Sequence, residues 1–258
     1  MNFKEYFNRD DRKLQIQNVA SILASLFSIP TLSEARLRAN ENTEKFWTNS
    51  RSPLIPWLQK HSISIPSGVP KYAQGGSGRA YFLDKDYVVK MTANRVESNV
   101  ANIVKNGSDL PTPVIDVLPL PGGFYAILQH HVNTNVPKQI KDAADYLTMI
   151  IDDYPEMNGF PQTVQDQQKI CSEILVKNGG NKSLLPYMLV VLKVLIHLYH
   201  ATGFKHDDAG PTNIAMHNGK IVIHDLGPNE TGKFNPRNSL NQIHQNRANL
   251  GLPNIPEI

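Results

Sequence analysis

The sequence predicts an α+β protein with two lobes, one rich in short strands and one mainly helical. Short β-rich runs separated by turn residues occupy residues 71–129, and long segments with helical spacing of apolar residues occupy residues 139–201. Helical spacing also recurs within the first 47 residues. Because strands and helices are segregated along the chain, we expect a strand-rich lobe followed by a helical lobe.

The N-terminal region is predicted to be helical. Apolar residues recur at roughly helical spacing over residues 11–29, and Pro30 ends that segment. A second helix is expected to start near residue 31 or 33 and to run towards Trp47. Residues 50–70 contain four prolines, so they are expected to form a connection with at most one short helix, over residues 57–61.

These patterns divide the chain into an N-terminal helical extension, residues 1–68, and a main domain, residues 69–258. Within the main domain we expect the strand-rich lobe over about residues 69–131 and the helical lobe over about residues 132–258. In the strand-rich lobe we expect strands at 87–91, 114–118 and 124–129, and a helix at 95–105 after the first of them. In the helical lobe we expect helices at 139–151, 162–177 and 184–201, the last with Gly203 as its C-cap, and then a hairpin within 214–223.

The composition is that of an ordinary globular protein: 258 residues, 40% hydrophobic, 19% charged and a net charge of +3 from scattered lysines and arginines. Nothing in it indicates nucleic-acid binding. The longest apolar stretch, residues 184–199, is interrupted by a proline, a lysine and a histidine, so no membrane span is expected. The single cysteine, Cys171, fits a reducing compartment, and the polar N terminus has no apolar signal core, so we expect a cytoplasmic protein.

Polar residues flank a predicted hairpin in the last third of the chain. Two short apolar runs within residues 214–223 surround an Asn-Gly dipeptide, which accepts the positive φ values of a type I′ turn. Asn213 precedes the first strand and Asp225 follows the second, so both side chains are expected at the same end of the ribbon. An amide oxygen and a carboxylate in this arrangement suit a divalent metal on phosphates, and Asp208 is placed to accept a proton from a hydroxyl.

A glycine run, Gly75-Gly76-Ser77-Gly78, exposes backbone N–H groups and permits close approach to a polyphosphate, although a plain turn between two strands would use the same residues. Lys90, on a strand after this run, can contact phosphate oxygens. Glu97, on the next helix, is the first candidate to hold that lysine, with a solvated surface glutamate as the alternative.

The histidines are expected to be structural. His206 is expected to pack and hydrogen-bond within its loop. The paired residues His130 and His131, and His197 and His200 on the long helix, are expected in walls or core, since no metal-binding histidine pattern includes them.

Taken in order, four motifs resemble those of the protein-kinase-like superfamily, which includes protein kinases and the aminoglycoside and choline phosphotransferases. They are the glycine-rich loop, the strand lysine, the H-x-D-x-x-x-x-N loop over residues 206–213 and the D-x-G triplet over residues 225–227. The resemblance implies a two-lobed protein-kinase-like fold with a small β-rich N-lobe and a truncated helical C-lobe. It also implies ATP and Mg²⁺ as cofactors.

The resemblance further assigns roles to individual residues. It implies that Asp208 is the catalytic base, with Lys90 and Asn213 beside it, and that Asn213 and Asp225 hold Mg²⁺. Adenine is expected near the end of strand 124–129. The residues that the resemblance places against the nucleotide are Gly75, Gly76, Ser77, Gly78, Lys90, Glu97, Gln129 and His130.

The chain also departs from the pattern of protein kinases. Asp207 stands where they usually carry an arginine that answers an activation-loop phosphate, and Gly210 stands where serine/threonine kinases carry a lysine. Only 31 residues follow Gly227, without an A-P-E triplet or room for a helical peptide-binding platform. The asparagine-rich tail, residues 229–258, could be a loose wrap or a docking segment, but such tails are usually solvated, so no function is assigned to it. Such trimming is similar to that of compact kinase-like proteins of bacteria and their viruses.

Three functions remain open from the sequence. The first is an ATP- and Mg²⁺-dependent phosphotransferase acting on serine or threonine hydroxyls of a protein. The second is a small-molecule kinase resembling the aminoglycoside and choline enzymes, although no strong acidic cluster for a cationic acceptor is evident. The third is a weakly catalytic kinase-like module that binds a protein partner through its N-terminal helices. Transfer of nucleotide instead of phosphate would use the same residues.

Overall fold

The computed structural model describes residues 43–75, 78–105, 107, 109–151, 163–206, 209–227 and 240–255. These residues form a five-stranded antiparallel sheet, a separate two-stranded hairpin and seven α-helices, which confirms the α+β prediction. The predicted helix over residues 11–29 lies outside the described residues, as does most of the second predicted N-terminal helix.

The sheet contains all strands of the predicted strand-rich lobe. Its strands are β1 (Tyr72–Gln74), β2 (Gly78–Phe82), β3 (Tyr87–Thr92), β4 (Val114–Leu120) and β5 (Phe124–His130). Their order in the sheet is β1-β2-β3-β5-β4, so β5 lies between β3 and β4. Strands β3 and β4 are connected by helix α3 (Arg95–Val104), at the position predicted for a helix. The helix begins after Asn94, whose side chain accepts hydrogen bonds from the N–H groups of Val96 and Glu97.

The two faces of the sheet are covered by different elements. Alternation along β3 puts Val89 and Met91 on one face and Lys90 on the other. The first face packs against two N-terminal helices, α1 (Lys45–Thr48) and α2 (Leu54–Lys60), in one hydrophobic cluster. Residues 43–63 therefore share a core with the sheet, on the face opposite Lys90.

The helical lobe is built around one long helix. Its elements are α4 (Lys138–Ile151), α5 (Val164–Lys177), a 3-10 turn (Lys182–Leu184) and α6 (Leu185–Thr202). Helix α6 packs against α4 and α5, and its inner side chains belong to the larger of the two cores. The segment Lys182–Thr202 is long and apolar enough to cross a bilayer, but the core helices of many proteins meet the same two criteria. Gly203 ends α6 in the left-handed conformation, with φ of 72°, as predicted.

The predicted hairpin is present as β6 (Ile214–His217) and β7 (Lys220–Ile223). Asn218 and Gly219 have φ values of 48° and 74°, which are those of the type I′ turn. The chain leaving β5 also contacts this hairpin, because Asn133 exchanges two backbone hydrogen bonds with Met216. The end of the sheet and the hairpin are thereby held side by side.

Of the possibilities left open for the C-terminal tail, the described residues 240–255 are packed on the protein and are not a purely solvated segment. Helix α7 (Leu240–Asn249) packs against the larger core through Ile243, which is fully buried, and Ile255 is also buried there. The apolar residues of this segment are few and lie among asparagines, so the average composition of the tail does not indicate that it packs on a core. Burial of a few well-placed side chains, rather than composition, decides the position of the segment.

Asp116 joins the N-terminal helices to the sheet and to α3. Its Oδ2 atom accepts hydrogen bonds from Trp57 Nε1 and His61 Nε2, both at 2.9 Å, and its Oδ1 atom lies 3.1 Å from Lys105 Nζ. The Val117 N–H also donates to Oδ1, at 2.8 Å. Burial alone would raise the pKa of Asp116, but these hydrogen bonds outweigh it and hold the pKa well below its usual range.

We expect Asp116→Asn to lower the free energy of unfolding at pH 7 by about 1–3 kcal/mol, because three side-chain donors and the Val117 N–H lose a charged acceptor. Since the folded-state pKa is depressed, the stabilisation is present above about pH 4 and is lost as the pH falls towards the folded-state value. The difference between wild type and variant, measured by urea unfolding, should therefore shrink between pH 6 and pH 3. Asp145→Asn, at an exposed carboxylate, is the control. A difference that stays constant over that pH range contradicts the assignment.

Candidate active site

Three charged side chains from three different elements meet where the sheet adjoins the hairpin. Lys90 Nζ lies 2.5 Å from Glu97 Oε1 and 2.7 Å from Asp225 Oδ1. Lys90 comes from β3, Glu97 from the first turn of α3, and Asp225 from the segment just after β7. The expected pairing of Lys90 with Glu97 is present, and the contact between Lys90 and Asp225 adds a direct link between the lobes.

The short spacing between Lys90 and Glu97 has a local cause. Strand β3 ends at Thr92 and α3 begins only three residues later, after the Asn94 cap. Glu97 therefore lies in the first helical turn, close to the end of the strand that carries Lys90.

Burial determines the electrostatics of this cluster. Glu97 is fully buried, and burial raises the pKa of its carboxyl against the opposing effect of the Lys90 charge. Burial alone would lower the pKa of Lys90, but the charges of Glu97 and Asp225 raise it above its usual range. Burial would also raise the pKa of Asp225, but Lys90 and the Gly227 amide outweigh it and lower this pKa to about 2. The cluster thus holds one ammonium between two carboxylates in a poorly hydrated place.

His206 fixes the backbone next to Asp225. Its Nε2 atom lies 2.6 Å from the Asp225 carbonyl oxygen, and its ring packs edge-on against Phe204. Only 1% of His206 is exposed. The structural role expected for this histidine is confirmed. The Asp225 carboxylate is oriented locally as well, since Oδ1 accepts the Gly227 N–H at 3.0 Å.

Asn213 lies at the same end of the hairpin as Asp225. Ile214 pairs with Ile223, and the next residues outwards are also bonded, because the His224 N–H donates to the Asn213 carbonyl oxygen at 3.1 Å. The predicted return of both residues to one end of the ribbon is confirmed. Asp207 and Asp208 lie outside the described residues, so the role of Asp208 as the base stays a prediction.

The residues present fit a Mg²⁺ ion in a limited way. Among the described residues, no group of three or more histidines, cysteines, aspartates or glutamates gathers as a complete metal site. Mg²⁺ is commonly held by one or two protein oxygens together with substrate phosphates. The ionised Asp225 carboxylate, one-third exposed, with Asn213 nearby, suits that kind of site.

The glycine run lies in the sequence between the end of β1 and the start of β2. The Gly75 N–H donates to the Gly78 carbonyl oxygen at 2.9 Å, while Gly76 and Ser77 lie outside the described residues. A Cβ atom on Gly78 would lie 2.1 Å from the Met91 carbonyl oxygen, so close packing on β3 requires glycine at this position. At Gly75 such an atom would lie 3.6 Å from the Gly78 carbonyl oxygen, so packing against the described residues does not require glycine there.

Gln129 and His130, the residues expected beside adenine, point in different directions. Gln129 pairs with Val88 on the same face as Lys90, and its Nε2 atom donates to the His224 carbonyl oxygen at 3.1 Å. The His130 ring stacks between Tyr87 and His217, with ring centres 5.7 Å and 4.8 Å away. Any contact of His130 with a base would thus come from its backbone. The tie from Gln129 to His224 has no signal in the sequence, since it joins residues far apart in the chain.

An open cavity of about 950 Å³ lies on another side of this junction. Its walls come from residues 105, 107 and 109–114, from α6 and from the hairpin, together with His130 and Ile140. Lys90, Glu97 and Asp225 do not line it, so this cavity is separate from the charged cluster.

No protein-family model and no curated protein matches this chain. Similar solved structures include a ternary complex of APH(2")-IIa with streptomycin and ATP, at 14% identity and a TM-score of 0.30, covering 69% of this chain and 71% of that one. Another is the GDP complex of aminoglycoside 2'-phosphotransferase-IIIa, at 16% identity and 0.29, covering 69% and 75%. A third is a thermostable mutant of aminoglycoside phosphotransferase APH(4)-Ia, at 15% identity and 0.29, covering 71% of each chain. Likeness at TM-scores this low carries no argument about what this chain binds or does.

We expect Lys90→Met to lower the free energy of unfolding at pH 7 by about 3–5 kcal/mol, because it leaves buried carboxylates without their counter-charge. Loss of the ammonium raises the pKa of folded Glu97 further, so the folded variant holds a proton that the unfolded chain releases above its own pKa, near pH 4. The loss of folding free energy therefore grows as the pH rises above about 4. Urea unfolding should therefore show a smaller penalty at pH 5 than at pH 7.

The matched control is the double variant Lys90→Met/Glu97→Gln, which removes the stranded charge and should recover a large part of the stability. Equal penalties in the single and double variants would show that the Lys90–Glu97 pair is not coupled.

Proposed function

We propose that this protein is an ATP- and Mg²⁺-dependent phosphotransferase with a hydroxyl group as acceptor. The observation that carries the proposal is the buried Lys90 ammonium bracketed by Glu97 and Asp225 at the junction of the lobes. Removing these charges from water costs free energy, which is recovered only when the partners are close and well oriented. Apolar side chains of similar volume would stabilise the fold at least as well, so stability alone does not explain the charges. A role in binding phosphates explains why the charges are there.

The charge balance of the cluster supports this role. One ammonium stands against two carboxylates, and Asp225 is the more exposed carboxylate, with 34% of its side chain accessible. Asp225 would hold a divalent cation, and Lys90, kept in position by Glu97, would contact a phosphate oxygen. When bound, Mg²⁺ would neutralise negative charge that develops on the transferred phosphoryl group.

The residues of this chain would divide the remaining work. Asp208 would orient the acceptor hydroxyl and accept its proton as the acceptor oxygen bonds to the γ-phosphorus and the bond from that phosphorus to the β–γ bridging oxygen breaks. Lys90 would hold the phosphates in line with that oxygen. Asn213 and Asp225 would supply the protein oxygens to the metal. The turn at Gly75 would place backbone N–H groups against the phosphates.

One structural observation favours a small-molecule acceptor over a protein serine or threonine. Residues 240–255, which follow the D-x-G triplet in the chain, are packed against the core of the helical lobe. They are therefore not available as a separate platform for an extended peptide. Gly210, in place of the lysine usual in serine/threonine kinases, agrees with this preference.

The cellular location follows from the same proposal. Cys171 is buried, and burial raises the pKa of its thiol to about 12, so it is an unreactive core residue. We propose a cytoplasmic protein, since its proposed substrate ATP is found there and no disulfide is needed.

The decisive experiment incubates the purified protein with Mg²⁺ and ATP labelled on the γ-phosphate, in the presence of a small-molecule extract and, separately, of cell protein. Label in the small-molecule fraction is expected. Asp208→Ala should lower the rate by about 10²–10⁴-fold, as for loss of a general base. Asp225→Ala, which loses a proposed metal ligand, should remove the Mg²⁺-dependent transfer, whereas Asp145→Asn should retain the full rate.

Two other outcomes distinguish the alternatives. Label in protein that disappears in both variants would select the protein-kinase function. Transfer from ATP labelled on the α-phosphate, with none from the γ-label, would select nucleotide transfer. An absence of any transfer and of Mg²⁺-dependent ATP binding by thermal shift would refute an enzymatic function.

A further inference from the structure

We propose that the C-terminal segment, residues 240–255, positions the loop that follows helix α6 and carries His206, with Arg247 and Asn246 as the positioning residues. We call this segment the C-terminal clamp. The proposal rests on the phosphotransferase function proposed above, because the loop that it positions is the catalytic loop of that function. It gives the segment a part in the site itself, in addition to its packing on the core.

Arg247 binds the end of helix α6. Its Nη1 atom donates to the carbonyl oxygens of Ala201 and Thr202, at 3.2 Å and 3.1 Å, and its Nε atom donates to the Pro253 carbonyl oxygen at 2.7 Å. The last carbonyl groups of a helix have no partner within the helix and carry partial negative charge. A guanidinium is suited to this place, since it offers several donors in a fixed plane.

The burial of Arg247 indicates that this contact is specific. Only 5% of the residue is exposed, and burial lowers the pKa of its guanidinium without removing its charge. Its hydrocarbon stem packs on Gly203, where an added Cβ atom would lie 2.6 Å from Arg247 Cγ. Gly203 therefore serves two purposes, because it ends α6 with a positive φ and leaves space for the arginine.

Asn246 holds the next carbonyl group along the chain. Its Nδ2 atom donates to the Gly203 carbonyl oxygen at 2.8 Å, and its Oδ1 atom accepts from Gln242. Together Arg247 and Asn246 engage the carbonyl oxygens of three consecutive residues, Ala201, Thr202 and Gly203. The direction in which the chain leaves α6 is thereby fixed.

That direction decides where His206 lies. Phe204 is fully buried, and its N–H donates to the Thr202 side chain at 3.0 Å, so the chain has little freedom after Gly203. His206 follows two residues later and contacts the Asp225 carbonyl oxygen at 2.6 Å. A path therefore runs from Asn246 to Gly203 by a hydrogen bond, along the backbone to His206, and from His206 to the Asp225 carbonyl oxygen. Displacement of a catalytic group by about 1 Å can lower a rate about 100-fold, so a shift at Gly203 is expected to affect turnover.

Two variants test the clamp without removing α7. Asn246→Ala deletes the contact with Gly203 and raises the intrinsic helix propensity of α7, so an effect cannot come from a weakened helix. Arg247→Lys keeps the positive charge but loses the planar set of donors. The matched control is Gln245→Ala, at an exposed position of the same helix. None of these residues touches the Lys90 cluster.

Each variant is measured for kcat and for KM of ATP at a temperature where its thermal melt shows it fully folded. We expect Asn246→Ala and Arg247→Lys to lower kcat by about 10–100-fold, with KM for ATP within about threefold of wild type. Gln245→Ala should match wild type in both values. A variant that only loses stability would show wild-type kcat at a temperature where it is fully folded.

Amide hydrogen exchange over residues 203–206 gives a readout that does not depend on activity. It should be faster in both clamp variants and unchanged in Gln245→Ala. If the wild-type protein shows no phosphotransfer, the proposed function fails while the exchange data still test the clamp. Wild-type exchange at residues 203–206 in Asn246→Ala, or faster exchange with an unchanged kcat, would overturn the proposal. If Arg247→Lys does not fold, Asn246→Ala decides the outcome alone.

Discussion

The buried ammonium of Lys90 is the group on which the arrangement of this protein depends. Its two carboxylate partners come from α3 and from the segment after β7, at 2.5 Å and 2.7 Å. Charges in a poorly hydrated interior are tolerated only when their partners are close and correctly oriented. The helix after β3, the sheet and the hairpin must therefore keep one relative position for the cluster to exist.

Several polar contacts outside the cluster hold that position. Gln129 joins the sheet to the hairpin through the His224 carbonyl oxygen, and Asn133 pairs with Met216. On the far side of the sheet, Asp116 links α2 to the C-terminal end of α3 through Lys105. The C-terminal clamp contacts the end of α6. Both ends of the described chain are thus joined to parts of the fold that carry site residues: the N-terminal helices to α3, which carries Glu97, and the C-terminal helix to the chain after α6, which carries His206.

Much of the fold could be predicted because it follows from local chemistry. The Asn-Gly turn of the hairpin, the C-cap at Gly203 and the helix following Lys90 occur where the sequence indicates them, since turn residues and caps act over a few positions. The clamp could not be predicted. Its buried residues Ile243 and Arg247 are separated by polar positions, and only the shape of the surface at the end of α6 makes them favourable. The covering of one sheet face by α1 and α2 depended on long-range packing in the same way.

The sequence by itself determined the kinds of group available to the site: a strand lysine, a glutamate on the next helix, and an asparagine and an aspartate at the two ends of a hairpin. It also determined that Asn213 and Asp225 return to the same end, because a two-residue turn fixes the register of its strands. Only the tertiary structure decided that Lys90 contacts Asp225 as well as Glu97, that Gln129 binds the hairpin, and that Arg247 lies at the end of α6. These contacts join residues far apart in the chain, and their geometry is set by how the lobes pack, which local sequence does not encode.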